Sequence, residues 1–527
     1  MAFDADKVLM RLPGGDWKVD DAMKGVAIFG GTGSGKTSGS GKTIALKYLA
    51  EGWGGLILCV KTDEAQLWEK YCEEAGREKD VIVFRNGATR KKDEASEDEL
   101  WIFNPIDYEE KRPRTDEEGV AEAQNITNIF MNIYRMGNRI SGGGENKEER
   151  FWDVALKRCI NRVVELLMLA DQPLSIANMR EILTSCVNLE EKEGLSPEVI
   201  YKGALAEIKS GRHDFLYDDN FCFQCLLEAE QNVPPNDLAK SQSLSLVKSY
   251  FLHEFSSMGE RVRSTITESF MGLAEPFLSG LMFRHFSGET NLFPELTYTE
   301  QKIIILDFSI KEYLDVGIIA QSIYKMMFQQ AVERRDIEKY PIPVFLWVDE
   351  AQMFVNPYDQ IFLTTARSKL VATVFLTQNI PNYLVVMGAG TEAKPKVDSL
   401  LGNLSTKIFH ANMDAETNEY ASRLIGQAIF GMASESKSQS IGHLGSQTVG
   451  VSMQLRPQVL PLEFLTLKTG GKGKKDERDN FKVEAFITTL GKEWLWEEEE
   501  EKKDAIRRAM RNYTLAIFDQ KFKLKKV

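Results

Sequence analysis

Eight consecutive residues, Gly30-Gly31-Thr32-Gly33-Ser34-Gly35-Lys36-Thr37, have the composition and spacing needed to hold a triphosphate. The G-x4-G-K-T pattern lies between a hydrophobic strand-like run and a helix-like segment, the context that such a loop requires. Glycines let successive backbone N–H groups turn inward on phosphate oxygens, and the dipole of the following helix adds positive potential. Lys36 is expected to bridge the β- and γ-phosphates. Thr37 is expected to ligate magnesium through its hydroxyl, and Ser38 to line the same site. The cofactors so implied are ATP and Mg2+. A second Gly41-Lys42-Thr43 has Lys36 where the first glycine should stand, which places it inside the helix rather than at a second site.

Such a loop needs acidic partners on a neighbouring strand. The apolar run Val344–Val348 ends in Asp349-Glu350. Asp349 is expected in the magnesium shell and Glu350 as the general base that polarises the attacking water. The adjacent pair favours hydrolysis over transfer, because no substrate hydroxyl has to be recruited. Gln378 ends the strand-like run Val371–Thr377, where an amide can sense the γ-phosphate and relay its loss. Arg367 falls between these two strands. If subunits form a ring, it can reach a neighbour's nucleotide as an arginine finger, with Lys369 as the alternative. The lone pair Cys222-x2-Cys225 has only His213 near it and reads as buried structural thiols rather than a zinc site.

These residues need a scaffold. A chain of 527 residues is too long for one compact core, so two to four domains, or one domain with a large insertion, are expected. A formal charge of −13 argues against a surface that coats nucleic acid all over, although a local basic patch or a pore is compatible with it. Six cysteines, no secretory leader and no run of about 18 apolar residues point to a reducing, cytoplasmic setting without a membrane-spanning helix.

Residues 1–24 read as a polar lead-in. Strand, Gly-rich turn, helix and strand follow from Val26, opening a parallel α/β sheet. Asn104-Pro105 reads as a turn. From about residue 115 to 290 helical periodicity dominates, as in Phe151, Val154, Ala155, Cys159, Val163 and Leu166-Leu167, with Gly142-Gly143-Gly144 as a flexible loop. Trp152 and Trp347 are core candidates. The α/β pattern then resumes. The expected organisation is a nucleotide-binding α/β domain at 25–112 and 295–465, an inserted all-α domain at 113–294 and an extension at 466–527. In the extension, Gly470–Asp479 reads as a solvated loop. Trp494-Leu495-Trp496 and the run Glu497–Glu501 lead into a helix whose apolar stripe is Ile506, Ala509, Met510, Tyr513 and Ile517.

In order along the chain, these features resemble the type IV secretion coupling proteins, the TraG/TraD-like conjugation ATPases of the FtsK/HerA superfamily. The nucleotide loop Ile28–Thr37, Phe103-Asn104-Pro105-Ile106, Phe151-Trp152 with Ala155, and Arg261–Ser264 match successive family segments. Asp349-Glu350, Arg367 and Gln378 then fall in family order. Asn403, Thr406-Lys407-Ile408, Asp414–Thr417, Gly426 and Pro461–Phe464 follow. The resemblance covers residues 20–465 and implies a RecA/FtsK-like P-loop NTPase fold with an inserted all-α domain. It implies a ring, as a hexamer, with nucleotide between subunits and single- or double-stranded DNA in a central channel. The load would be DNA or a relaxase–DNA conjugate. The family carries amino-terminal transmembrane helices and this sequence shows none, so either recruitment by a separate membrane or channel subunit or a cytoplasmic motor with another job is expected here. The second strand ends Val60-Lys61-Thr62-Asp63, where the family has an Asp-Pro-Lys-Gly-type phrase. Two further readings remain open at this stage. One is a HerA-like motor in repair or phage defence, against which stands the short segment before the loop. The other is a receptor for protein cargo that moves no DNA.

Overall fold

The computed structural model describes residues 3–87, 89–90, 99–112, 123–140, 147–187, 189, 194–210, 219–388, 393–438, 446–471, 480–500 and 505–524. The chain divides into two compact units. One comprises Met1–Ile82, Thr297–Leu306 and Gln329–Val527, and the other Val83–Leu296 and Asp307–Phe328.

The first unit is built on one large sheet. Its strands in chain order are β1 (Val26–Phe29), β2 (Gly54–Leu58), β3 (Val81–Arg85), β4 (Ile303–Asp307), β5 (Val344–Val348), β6 (Val371–Thr377), β7 (Thr406–Phe409), β8 (Lys482–Thr489) and β9 (Tyr513–Asp519). They lie in the order β9-β8-β7-β1-β6-β5-β2-β4-β3. β1 pairs in parallel with both β7 and β6, and the parallel run continues through β5 and β2 to β4. Every residue of β1, β2, β5 and β6 is buried, as expected of parallel strands covered on both faces. Their Val, Ile, Leu and Phe content is what made them legible as strands.

The strand order decides where chemistry can occur. β6 separates the strand of the phosphate loop from the strand of the acidic pair. Phe29 stands opposite Thr377, and Val348 opposite Phe375. The residues just beyond these pairs therefore emerge together at the carboxyl edge of a parallel sheet, the edge where α/β folds bind ligands.

β8 runs antiparallel to β7, and β9 antiparallel to β8, which corrects the reading of the carboxy-terminal segment. No helix forms over 505–519. Ala505–Arg511 pairs with Trp494–Glu500 as a hairpin, and Tyr513–Asp519 is a sheet strand. The helical spacing was misleading because β9 buries Tyr513, Thr514, Ala516 and Phe518 while Ile517 points outward. Within the run Glu497–Glu501, Glu501 lies outside the described residues, as do Gly142–Gly144 and His213. Of the loop read at 470–479, only residues 470 and 471 are described.

The amino-terminal segment also differs from expectation. Val8–Leu12 and Gly15–Lys18 form a hairpin that leads into the short helix Val19–Met23. Leu9, Met10, Trp17, Val19, Ala22 and Met23 are all buried, and Trp17 donates from Nε1 to Thr406 Oγ1 at 3.2 Å. Interspersed Asp and Gly had hidden this apolar set. A long ribbon of Gln427–Ser438 and Ser446–Pro457 was likewise not anticipated.

The second unit is mainly helical between Ala123 and Phe286. Asn104 caps the helix Pro105–Lys111, its Oδ1 accepting from Ile106 N at 3.1 Å, so Asn104-Pro105 opens a helix. In the helix Lys147–Leu169, Cys159, Val163, Leu166 and Leu167 are fully buried. Phe151 and Val154 are exposed and Trp152 only half-buried, because the buried stripe begins at Leu156. Cys222 and Cys225 are buried, and burial pushes both thiols up, Cys225 to about 12. Among the described residues no helix is long and apolar enough to cross a membrane.

Candidate active site

The phosphate loop leaves β1 pinned on both sides. Gly30 N donates to Thr377 O at 3.3 Å and Gly31 N to Ala411 O at 3.0 Å. At Gly30 a Cβ would fall 2.4 Å from Ser34 Oγ and 2.9 Å from His410 Cβ, so the loop closes only around hydrogen there. Gly35 has φ +85°, and a Cβ on it would meet Val483 of β8 at 2.6 Å. The helix Lys42–Ala50 follows through a wide π-turn over Thr37–Gly41, with Gly41 N donating to Lys36 O at 2.9 Å. Wide turns of this kind occur at functional sites.

Lys36, Thr37, Asp349 and Glu350 converge. Thr37 Oγ1 donates to Asp349 Oδ2 at 3.3 Å, and Lys36 Nζ lies 3.7 Å from Glu350 Oε1. Burial raises the Asp349 carboxyl above its usual range, and Glu350 adds to the rise while Lys36 opposes it. Glu350 has φ 45° and ψ 51°, a left-handed backbone that costs a non-glycine residue about 1–3 kcal/mol. Its carboxylate is held in turn. Gln352 Nε2 donates to Oε2 at 2.9 Å and Gln378 Nε2 to Oε1 at 3.2 Å. Burial alone would push this group up, but the Gln352 amide, Lys36 and the Gln378 amide hold it below its ordinary value. The carboxyl is thus held in its ionised form near neutral pH. The oxygen donors Thr37 and Asp349 suit a hard cation such as magnesium.

Two residues of this centre escaped the sequence reading. Gln352 ties the acid to the middle strand, since Thr377 Oγ1 donates to Gln352 Oε1 at 2.9 Å. A glutamine two residues after an acidic pair was the available signal. His410, just past β7, is fully buried. Glu484 O can only accept, so His410 Nδ1, 3.1 Å away, carries the proton. Nε2 then accepts from Ser40 Oγ at 2.6 Å, which fixes the wide turn behind Lys36. Burial holds this imidazole down, at about 3, so it stays neutral. The run Phe409-His410-Ala411-Asn412 after a strand was the missed clue. Asn412 Nδ2 also donates to Gln378 O at 2.8 Å.

Beside the acids opens a cleft of about 310 Å³ lined by Thr37, Lys61, Asp63, Glu64, Lys70 and Asp349. Burial, and then the charge of Asp349, pushes the Glu64 carboxyl up to about 7.

Arg367 and Ser38 are placed elsewhere. Arg367 precedes β6 and donates through Nε and Nη2 to Asp20 Oδ1 at 3.2 and 2.9 Å, with its side chain 62% exposed. Seven strand residues at ~3.3 Å each separate it from the Gln378 end, roughly 23 Å. Lys369 Nζ donates to Arg335 O at 3.4 Å. Ser38 Oγ accepts from Gln520 Nε2 at 2.7 Å, which turns that hydroxyl toward the carboxy-terminal segment.

Residues 343–468 match the family described as the TraM recognition site of TraD and TraG. No curated protein matches the chain by sequence. Among solved structures, the fold is similar to plasmid coupling protein TrwB in complex with ADP and Mg2+, at TM-score 0.57 and 12% identity, covering 99% of this chain and 90% of that one. TrwB in complex with the non-hydrolysable ATP analogue ADPNP gives 0.56 and 12%, covering 99% and 91%. The bacterial conjugative coupling protein TrwBdeltaN70, in an unbound monoclinic form, gives 0.55 and 12%, covering 97% and 88%. The fold is therefore similar to that of TrwB. The TraD and TraG segment carries Asp349, Glu350, Gln352, Arg367, Gln378, His410 and Asn412, while the phosphate loop and Glu64 lie outside it.

Proposed function

We propose that the chain is a subunit of an ATP-hydrolysing motor of the conjugative coupling-protein kind, working as a ring, a hexamer, that moves DNA or a relaxase–DNA conjugate. The observation that carries this reading is the placing of Glu350 between the Lys36 ammonium and the Gln378 amide. The backbone N–H groups of Gly30–Thr37 and Lys36 bind the phosphates, and Ser38 borders that loop. Thr37 and Asp349 would hold magnesium, which would supply charge neutralisation at the phosphates. Glu350 takes the proton of the attacking water. Gln378 loses or regains its contact with Glu350 as the γ-phosphate departs, and Thr377 and Asn412 pass that change to β6 and β7. Arg367, far from its own loop, completes a neighbour's site.

The TraM-recognition description of residues 343–468 supports a partner on the relaxosome side, and the location we infer is the cytoplasmic face of a membrane, reached through a separate subunit. The test is ATPase activity with and without single- and double-stranded DNA across a salt series. Stimulation that fades as salt rises is expected. ATP turnover indifferent to either DNA would remove the DNA load and leave a cargo receptor.

A further inference from the structure

The segment leaving β2 brings a third carboxylate to the Thr37–Asp349 cleft. Glu64 is only 8% exposed. Its Oε2 accepts the backbone N–H groups of Val60 at 2.7 Å and Lys61 at 3.3 Å. It opens the helix Glu64–Glu74, which Trp68 fixes against β5: the indole stacks on Phe345 at 5.8 Å and meets Trp347 edge-on at 5.1 Å. Side chain and backbone are thereby both held. The other oxygen, Oε1, is buried and has no hydrogen-bond donor among the described residues. The nearest cation to it is Lys61 Nζ at 3.5 Å, on a side chain that is 43% exposed.

A rigid buried carboxylate oxygen whose partner is a long ion pair to a partly exposed lysine is poorly compensated, and a second donor would stabilise it. Asp349 lines the same cleft and carries the same charge, so the two acids repel. A hydrated divalent cation removes both costs at once. Magnesium keeps several of its waters and takes one or two protein carboxylates, and its remaining waters donate outward to fixed acceptors.

We propose that Glu64 is a magnesium-positioning residue, its Oε1 accepting a hydrogen bond from a water in the shell of an ion that Thr37 and Asp349 would hold. This rests on the nucleotide reading above. It assigns Glu64 a task apart from Glu350: Glu350 receives the proton of the attacking water, and Glu64 orients the ion.

The experiment measures affinity for a fluorescent ADP analogue against Mg2+ concentration, in the full chain and in Glu64→Gln. Electron paramagnetic resonance of Mn2+ in the presence of ADP gives a second readout. The amide oxygen of Gln can still accept from Val60 and Lys61, so the fold is retained. The expected result is unchanged metal-free affinity, with the Mg2+ needed for half-maximal tightening raised by about 10-fold. Equal Mg2+ dependence in the two proteins overturns the proposal. So does an equal loss of affinity with and without Mg2+, which would make Glu64 a purely structural anchor. If Glu64→Gln fails to fold, Glu64→Asp, one methylene shorter, is put to the same comparison and the same outcomes decide. Should the unaltered chain bind the analogue neither with nor without Mg2+, the nucleotide reading falls and this proposal with it.

Discussion

At its carboxyl end β6 delivers Gln378 to a buried carboxylate that a second amide also holds. Just before its amino end the chain presents Arg367 to solvent, with Asp20 as its partner. One end is over-determined: Glu350 keeps a strained backbone because Lys36, Gln352 and Gln378 all bear on it. The other end holds an exposed cation by an ion pair of the kind worth about 0–1 kcal/mol, so it can be exchanged for a better anion at little cost. On the proposed reading, the contrast separates groups that complete their work inside one subunit from one that would need a second molecule.

The sharpest way to break this comparison is to mix subunits. Lys36→Ala and Arg367→Ala should each lose about 10³-fold or more of ATP turnover. Mixed, they should recover part of it, since one supplies the intact loop and the other the intact arginine. No recovery at any ratio in steady-state assays removes Arg367 from a neighbour's site. Next in size is Glu350→Gln, which should still bind ATP while its turnover falls by about 10²–10⁴-fold. Full turnover would show that the proton goes elsewhere. Gln352→Ala should be milder, about 10-fold in kcat with little change in KM. Its pH–rate profile should shift upward on the acidic side, because the lost amide bond was lowering the Glu350 pKa.

The smallest effect concerns stability. His410 is held near 3, below the ~6.5 of an unfolded chain. As pH falls below about 6.5 the unfolded chain takes up that proton first, so stability is complete above that value and is lost progressively toward pH 3. At ~1.4 kcal/mol per pH unit, this amounts to about 2 kcal/mol at pH 5. His410→Gln should flatten the fall in melting temperature between pH 7 and 5. An unchanged slope would place the acid sensitivity in other groups.

The sequence was informative where the signal is local. Glycine spacing, a lysine at a fixed offset and an acidic pair closing an apolar run identified the loop and its partners, because each is a contiguous phrase. The buried runs of β1, β5 and β6 were legible for the same reason. Gln352, His410 and Glu64 were not, since each acquires its place through strand order. His410 reaches Ser40 only because β7 lies beside β1, and Glu64 reaches Asp349 only because β2 lies beside β5. The carboxy-terminal strands were misread because residues 506–517 carry a helical spacing that pairing with 494–500 and with β8 overrides.

Val483, which presses on Gly35 and stands 3.1 Å from where a Cβ of Gly39 would lie, has a consequence for biosynthesis. The loop is synthesised well before the strand that braces it, since Val483 follows Gly35 by 448 residues (483 − 35). At about 5–20 residues per second, the loop waits on the order of twenty to ninety seconds for that strand. A nascent or truncated chain carries the whole phosphate-binding motif without the surface that shapes it. The turn at Gly35 and Gly39 is thereby left without its brace until β8 has been made.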